Sequence, residues 1–185
     1  MDLFQQRKDA ILLKVDKSSI GGWDKRVKEL CDKINSFEQF YTTSSCSGRV
    51  AVMVDQEKKS EGLFQFVSHD SVEFDQFFKS LPRQGGEFDL KFKQEGLILH
   101  VACKTLEDAN NFLKLAFEVG LKKCGIITLD KRIIVEINAS EKLEFPIMKD
   151  GEFLVSEEFL KLVLEKSNKN LEKSWLLIEK LEKSL

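Results

Sequence analysis

Eight consecutive residues, Thr42, Thr43, Ser44, Ser45, Cys46, Ser47, Gly48 and Arg49, combine five hydroxyls, a thiol, a glycine and an arginine. A half-buried strand alternates apolar with polar side chains, whereas this run carries small hydrogen-bonding groups on both faces. Hydroxyls at that density can bind a polar ligand, glycine lets backbone come close to it, and an arginine fork grips a carboxylate or phosphate through two parallel bonds. The same composition also describes a Ser/Thr-rich loop that bonds its own backbone. The flanks favour binding: Phe40 and Tyr41 precede the octet and the apolar run from Val50 to Val54 follows it. That pattern sets the octet at the mouth of a hairpin or strand pair.

The chain has two histidines. His69 closes the run Val67-Ser68-His69-Asp70 beside an expected helix start and reads as a functional group. His100 lies inside Leu97-Ile98-Leu99-His100-Val101, where a satisfied core residue and a site residue are equally good readings. Either imidazole can accept a proton near neutral pH. Asp16-Lys17-Ser18 has the composition of an Asx or Ser turn. Cys46 has no base beside it in sequence and reads as a small filler behind the hydroxyls. The other cysteines, Cys31, Cys103 and Cys124, are scattered without a Cys-x-x-Cys pair, so reduced thiols and no zinc site are expected.

Taken in order, these segments carry a resemblance. Asp16-Lys17-Ser18, Ile34-Asn35, the octet, Val67-Ser68-His69-Asp70 and Ile98-Leu99-His100-Val101 are followed by Gly120-Leu121-Lys122-Lys123-Cys124-Gly125-Ile126 and by the run from Gly151 to Leu160. This succession resembles the wybutosine-synthesising methyltransferase family, the tRNA wyosine-derivative N-methyltransferases of the 4-demethylwyosine type. It spans nearly the whole chain, and the octet is its most specific part. The chain departs from the family pattern at Glu95-Gly96-Leu97, where Glu-Pro is expected, and at Cys124, where serine is expected.

The resemblance implies an enzyme that uses S-adenosylmethionine to methylate N-4 of a wyosine-type tricyclic guanosine next to the anticodon of phenylalanine tRNA. The partner it implies is that tRNA carrying a wyosine intermediate, with no membrane and no obligate protein partner. It places Thr43, Ser44, Ser45, Ser47 and Gly48 at the cofactor and Lys17, Ser18, Arg49 and Tyr41 at the substrate. With it Asp16 becomes a group for the acceptor's proton or for a cofactor amine, beside His69 and His100 as the imidazoles able to take that proton, and no metal is implied. Trp23, Phe40, Tyr41 and Phe66 offer rings for stacking on a flat base. Methyl transfer from a sulfonium depends on in-line approach, an unprotonated nucleophile and a dry site, so binding groups matter more than a nucleophilic triad. The alternative is a noncatalytic RNA- or nucleotide-binding module whose octet grips phosphate, since no Gly-x-Gly-x-x-Gly follows a strand.

A chain of 185 residues with 42% hydrophobic residues and 15 Phe suits a single domain over residues 1–185. The net charge of −2 argues against a broad electrostatic grip on nucleic acid. Any RNA contact therefore uses a local patch such as Lys25, Arg26 and Lys28, or Lys58 and Lys59, or Lys122 and Lys123, or Lys131 and Arg132. Most of these patches read better as the solvated face of a helix or turn. No run approaches the roughly 20 apolar residues of a membrane span, and the first residues show no signal-peptide pattern, so a cytoplasmic protein is expected.

The elements that must position these groups follow from periodicity. Residues 2–14 read as a short helix, and a second helix starts near Asp24, its N-cap, with Val27, Leu30, Cys31 and Ile34 on one face. Asn35 reads as the C-cap of this second helix. Strands are expected at 40–46, 49–55 and 63–68, then a helix from Ser71 to Ser80 with Asp70 as N-cap and Glu73 completing a capping box. Phe88–Phe92 and Leu97–Cys103 read as a strand pair joined at Gly96, and Thr105 caps a helix that Gly120 ends. Gly125–Leu129 and Arg132–Ile137 form a hairpin, and a strand at Leu143–Ile147 leads to a turn at Lys149-Asp150-Gly151. From Ser156 onward Phe159, Leu160, Val163, Leu164, Leu171, Trp175, Ile178 and Leu181 mark one long or broken amphipathic helix. The class is α+β with a mixed, mostly antiparallel sheet packed by helices, and not a Rossmann fold.

Overall fold

The chain passes from one sheet to another at each of two short links, Ser47-Gly48 and Gly96-Leu97. The computed structural model describes residues 2–13, 24–56, 62–82 and 89–185. In chain order the elements are α1 (Leu3–Leu12), α2 (Lys25–Ser36), β1 (Phe40–Cys46), β2 (Arg49–Val54), β3 (Phe64–Ser68), α3 (Phe74–Ser80), β4 (Leu90–Glu95), β5 (Ile98–Cys103), α4 (Leu106–Glu118), β6 (Lys123–Thr128), β7 (Ile133–Asn138), β8 (Leu143–Lys149), β9 (Glu152–Phe153) and α5 (Glu157–Ser184). The strands form two sheets, β1-β5-β7-β6 and β3-β2-β4-β8-β9. Every neighbouring pair is antiparallel. The α+β class is as expected, with two antiparallel sheets in place of one mixed sheet.

The described residues fall into two compact units interleaved along the sequence. The first comprises Met1–Ser47, Leu97–Ser140 and Trp175–Leu185, and the second Gly48–Gly96 and Glu141–Ser174. Within the first, the apolar stripe of α2 (Val27, Leu30, Cys31, Ile34) packs with Phe112 and Ala116 of α4 over Leu99, Val101, Val135 and Ile137. Odd-numbered residues of β5 and β7 supply that face because side chains alternate along a strand. Two N-caps are as expected, Asp24 and Thr105: Asp24 accepts from the Arg26 amide at 3.2 Å. Thr105 and Asp108 cap α4 reciprocally, with Thr105 Oγ1 accepting from the Asp108 amide at 3.1 Å and Asp108 Oδ2 from the Thr105 amide at 3.0 Å. Gly120 ends this segment at φ 106°. On the opposite face Tyr41, Ala102 and Ile134 lie under Phe4 and Ile11 of α1. Lys8 anchors α1 by donating from Nζ to the Phe37 carbonyl at 2.6 Å.

In the second unit Phe77 of α3 meets Phe66 edge-on at 5.3 Å and Phe92 at 6.0 Å between ring centres. Leu160, Val163, Leu164 and Leu171 of α5 are buried there, and Ser167, Asn170 and Ser174 are buried with them. Asn170 Nδ2 donates to Gln94 Oε1 at 2.8 Å, which allows a fully buried glutamine in β4. The helix α5 runs unbroken from Glu157 to Ser184. Among the described residues no helix is long and apolar enough to cross a membrane.

Two expectations change. The helix expected from Ser71 begins at Phe74, with Glu73 at its N-cap and no side-chain capping bond. The Ser68 hydroxyl takes the Asp70 amide and donates to the Asp70 carbonyl, while Asn168 binds both the amide and the carbonyl of Val72 at 3.0 Å each. Backbone groups that a first helical turn would use are thereby committed elsewhere. β4 and β5 are not a hairpin: β4 lies between β2 and β8, and β5 between β1 and β7. A two-residue hairpin turn needs positive φ, which Gly96 does not adopt. Asp150 and Gly151 do, at φ 49° and 78°, and they turn β8 back into β9.

Gly48 has φ 113°, and a Cβ there would lie 2.8 Å from the Glu95 carbonyl oxygen and 2.9 Å from Leu171 Cδ2. Gly48→Ala should therefore cost about 1–3 kcal/mol in urea unfolding. Gly125, where an added Cβ meets nothing within 4 Å, provides the control. Gly125→Ala should change stability by no more than about 0.5 kcal/mol.

Candidate functional site

The octet does not act as one surface. A register shift between Thr42, which pairs with Val101, and Ser44, which pairs with His100, leaves Thr43 as the extra residue of a bulge in β1. Thr42 faces α2: its amide donates to Asn35 Oδ1 at 2.8 Å, and Asn35 Nδ2 donates to its Oγ1 at 3.0 Å. Asn35 is thus a clamp on β1 and not a helix C-cap, a position held by Phe37. Burial pushes the Cys31 thiol up to about 11, against opposing hydrogen bonds from Ser45 and then Thr42, so both hydroxyls reach the same buried thiol. Ser47 is fully buried, and its amide donates to Asp24 Oδ2 at 2.7 Å. Asp24 therefore caps α2 with one oxygen and holds the end of the octet with the other.

Ser44 is turned the opposite way and is exposed. On its face of the sheet the cross-strand partners are Ser44 of β1, His100 of β5, Glu136 of β7 and Gly125 of β6, one row across all four strands. His100 Nε2 lies 2.7 Å from Glu136 Oε2, and Asn138 Nδ2 donates to Glu136 Oε1 at 2.8 Å. The hydrogen bond from His100, helped by that from Asn138, holds the Glu136 carboxyl below its ordinary range despite some desolvation. All three side chains are half-buried, and α1 packs further along this face, on Tyr41, Ala102 and Ile134. Thr43 Oγ1 reaches the His100 carbonyl at 3.5 Å. The row combines a hydroxyl, an imidazole with one nitrogen held by a carboxylate, and an open position over Gly125. Such a row can bind a polar group and accept a proton.

In the second unit Gly48 is buried against the Glu95 carbonyl, so its missing Cβ serves chain packing. Arg49 places Nε at 3.1 Å and Nη2 at 2.9 Å from Glu95 Oε2, and Lys93 Nζ lies 2.9 Å from Oε1. Desolvation would raise the Glu95 carboxyl, but the bond from Lys93 and the charge of Arg49 outweigh it and hold it low. His69 is half-buried at the end of β3, next to Ser68.

Tyr41, expected at the substrate, is fully buried with its ring 5.1 Å from Phe4, and Phe40 lies in the core of the first unit, so neither ring can stack on a base. Phe66 is half-buried and edge-on to Phe77. Asp16, Lys17, Ser18 and Trp23 lie outside the described residues. Sequence reasoning passed over Glu136 and Asn138. Their signal was two polar residues two apart in the apolar run Ile133–Asn138, but only register joins them to His100.

Comparison with known proteins gives one consistent result. A family model described as Methyltransferase TYW3 matches residues 6–185. The chain is 36% identical over 155 residues to a tRNA(Phe) 7-((3-amino-3-carboxypropyl)-4-demethylwyosine(37)-N(4))-methyltransferase of Methanocaldococcus jannaschii, covering 82% of this chain and 80% of that one. It is 33% identical over 179 residues to a tRNA wybutosine-synthesizing protein 3 homolog of Xenopus laevis, covering 94% and 70%. The solved structure of the PH1069 protein from Pyrococcus horikoshii superposes with a TM-score of 0.85 at 32% identity, covering 97% of this chain and 92% of that one.

The Glu95 cluster predicts an acid-dependent stability. A carboxyl held low in the folded state is protonated first in the unfolded chain, so its contribution is complete above the ordinary glutamate range and falls away as pH drops through and below it. Arg49→Ala should lower stability by about 1 kcal/mol at pH 7. The gap from the parent protein should narrow below about pH 4 in urea titrations run across pH.

Proposed function

The chain belongs to the Methyltransferase TYW3 family, and on that premise we propose that it transfers a methyl group from S-adenosylmethionine to N-4 of a 4-demethylwyosine-type base in phenylalanine tRNA. The chain is a methyltransferase, and the match over residues 6–185 is the observation that carries the reading. The M. jannaschii relative is named for an acceptor bearing a 3-amino-3-carboxypropyl group, and we assign the same class of acceptor to this chain.

Bound S-adenosylmethionine supplies a methyl group activated by the positive charge of its sulfonium. The donor set of the first unit fits such a ligand: Ser44 offers an exposed hydroxyl beside His100 and Thr43 a half-buried one at the His100 carbonyl, and oxygen groups suit a cationic sulfonium, an amino group and a ribose. Ser45 and Ser47, turned toward α2 or buried, serve by holding β1 in place. Methylating a ring N–H releases one proton, so a base is needed. His100 is assigned that task, with its Nε2 occupied by Glu136 and Nδ1 left as the acceptor. His69 is the second imidazole in reserve for proton transfer, and Asp16 keeps the same assignment from the resemblance. Arg49 is assigned to a phosphate or carboxylate of the acceptor, exchanging one anionic partner for another, and Lys17 and Ser18 to the same ligand.

Calorimetry of the purified chain with S-adenosylmethionine should show saturable one-to-one binding. Incubation with phenylalanine tRNA bearing the demethylated tricycle should add one methyl group at N-4, read by mass analysis of the nucleosides. Absence of both would overturn the reading. His100→Gln should lower kcat by about a hundredfold while leaving cofactor binding in place. Ser44→Ala should weaken cofactor binding by about three- to tenfold, in line with the loss of one hydrogen bond.

A further inference from the structure

We propose that Glu136, braced by Asn138, is the positioning residue that fixes His100 in the tautomer carrying its proton on Nε2, so that Nδ1 meets the acceptor. This rests on the reading of His100 as the base. A neutral imidazole can carry its proton on either nitrogen, and only the unprotonated one can take another. Glu136 Oε2 lies 2.7 Å from Nε2, which an ionised carboxylate satisfies by accepting the Nε2 proton. Both oxygens of Glu136 are engaged, since Asn138 Nδ2 donates to Oε1 at 2.8 Å, and the carboxylate cannot swing away without losing that bond.

The surroundings favour this pairing over an ordinary surface ion pair. The strand neighbour of Glu136 on β6 is Gly125, which offers no side chain to draw the carboxylate off. Lys123, the β6 cation in the adjacent row, donates to the Ser140 carbonyl at 3.3 Å. On the opposite side of His100, Ser44 presents the exposed hydroxyl assigned to the cofactor. Proton balance follows: the acceptor's ring N–H passes its proton to Nδ1 as the nitrogen–methyl bond forms and the sulfur–methyl bond breaks. The resulting imidazolium is stabilised by the Glu136 carboxylate, which itself stays ionised.

The test uses the full chain. Long-range nitrogen–proton correlation spectra, with His69→Gln to assign signals, should show His100 protonated on Nε2 in the parent protein. In Glu136→Ala the two tautomers should mix, and kcat for methyl transfer should fall about tenfold to a hundredfold with KM for tRNA within about twofold. Glu136→Gln, which keeps the shape and an acceptor oxygen, should retain the Nε2–H signal and lose less rate. An unchanged tautomer in Glu136→Ala, or a kcat equal to the parent's, overturns the proposal. Should the parent protein itself methylate no tRNA, the functional reading has failed, and the tautomer measurement alone decides whether Glu136 orients His100.

Discussion

Contact between two backbones, with no room for a side chain between them, marks two of the points at which the chain changes sheets. Gly48 approaches the Glu95 carbonyl and Gly96 so closely that a Cβ would stand 2.8 Å from one and 3.1 Å from the other. From this contact β2 and β4 begin their shared ladder, with Arg49 opposite Glu95. The positive φ of Gly48 turns the chain at the end of β1, and only glycine adopts that conformation without strain. Residues on either side of the turn serve different sheets in consequence. The hydroxyl-rich β1 faces one set of neighbours, and the arginine that ends the octet faces another.

A second constraint acts on β1 itself. Side chains alternate with period two along a strand, so an unbroken β1 would place Thr43 and Ser45 on one face and Thr42 and Ser44 on the other. The bulge at Thr43 shifts that parity. Thr42 and Ser45 then both face the buried Cys31 thiol, and Ser44 joins His100 on the face that α1 covers elsewhere. One extra residue thus divides a polar run into a structural half and an exposed half. The hydroxyls at the thiol, together with Asn35 and Asp24, hold the strand whose exposed hydroxyl stands beside the imidazole.

Much of the secondary structure was legible because its causes are local. The stripe Val27, Leu30, Cys31 and Ile34 dictates α2, Asp24 and Thr105 cap their helices, Gly120 stops one, and Asp150-Gly151 turns a hairpin. The errors arose where a distant partner prevailed. Asn168, 96 residues away, takes both backbone groups of Val72 and delays the start of α3. Gly96 reads as a hairpin turn by type, yet its strands find better partners in β2, β8, β1 and β7. Tyr41 looks like a stacking ring beside a polar octet, but one residue of alternation and the ring of Phe4 place it in the interior.

By itself the sequence determined the α+β class, the N-caps Asp24 and Thr105 and the family, because each depends on residue types at short spacing or on their order along the whole chain. The hydroxyl octet stands out for the same reason. Tertiary structure decided which hydroxyl faces outward, which carboxylate holds His100, and which arginine partner is already present. Those depend on strand register and on a single bulge, and a shift of one residue reverses every side chain on a strand without altering its composition. Glu136 and His100 are 36 residues apart in sequence and 2.7 Å apart in space, and only the pairing of β5 with β7 connects them.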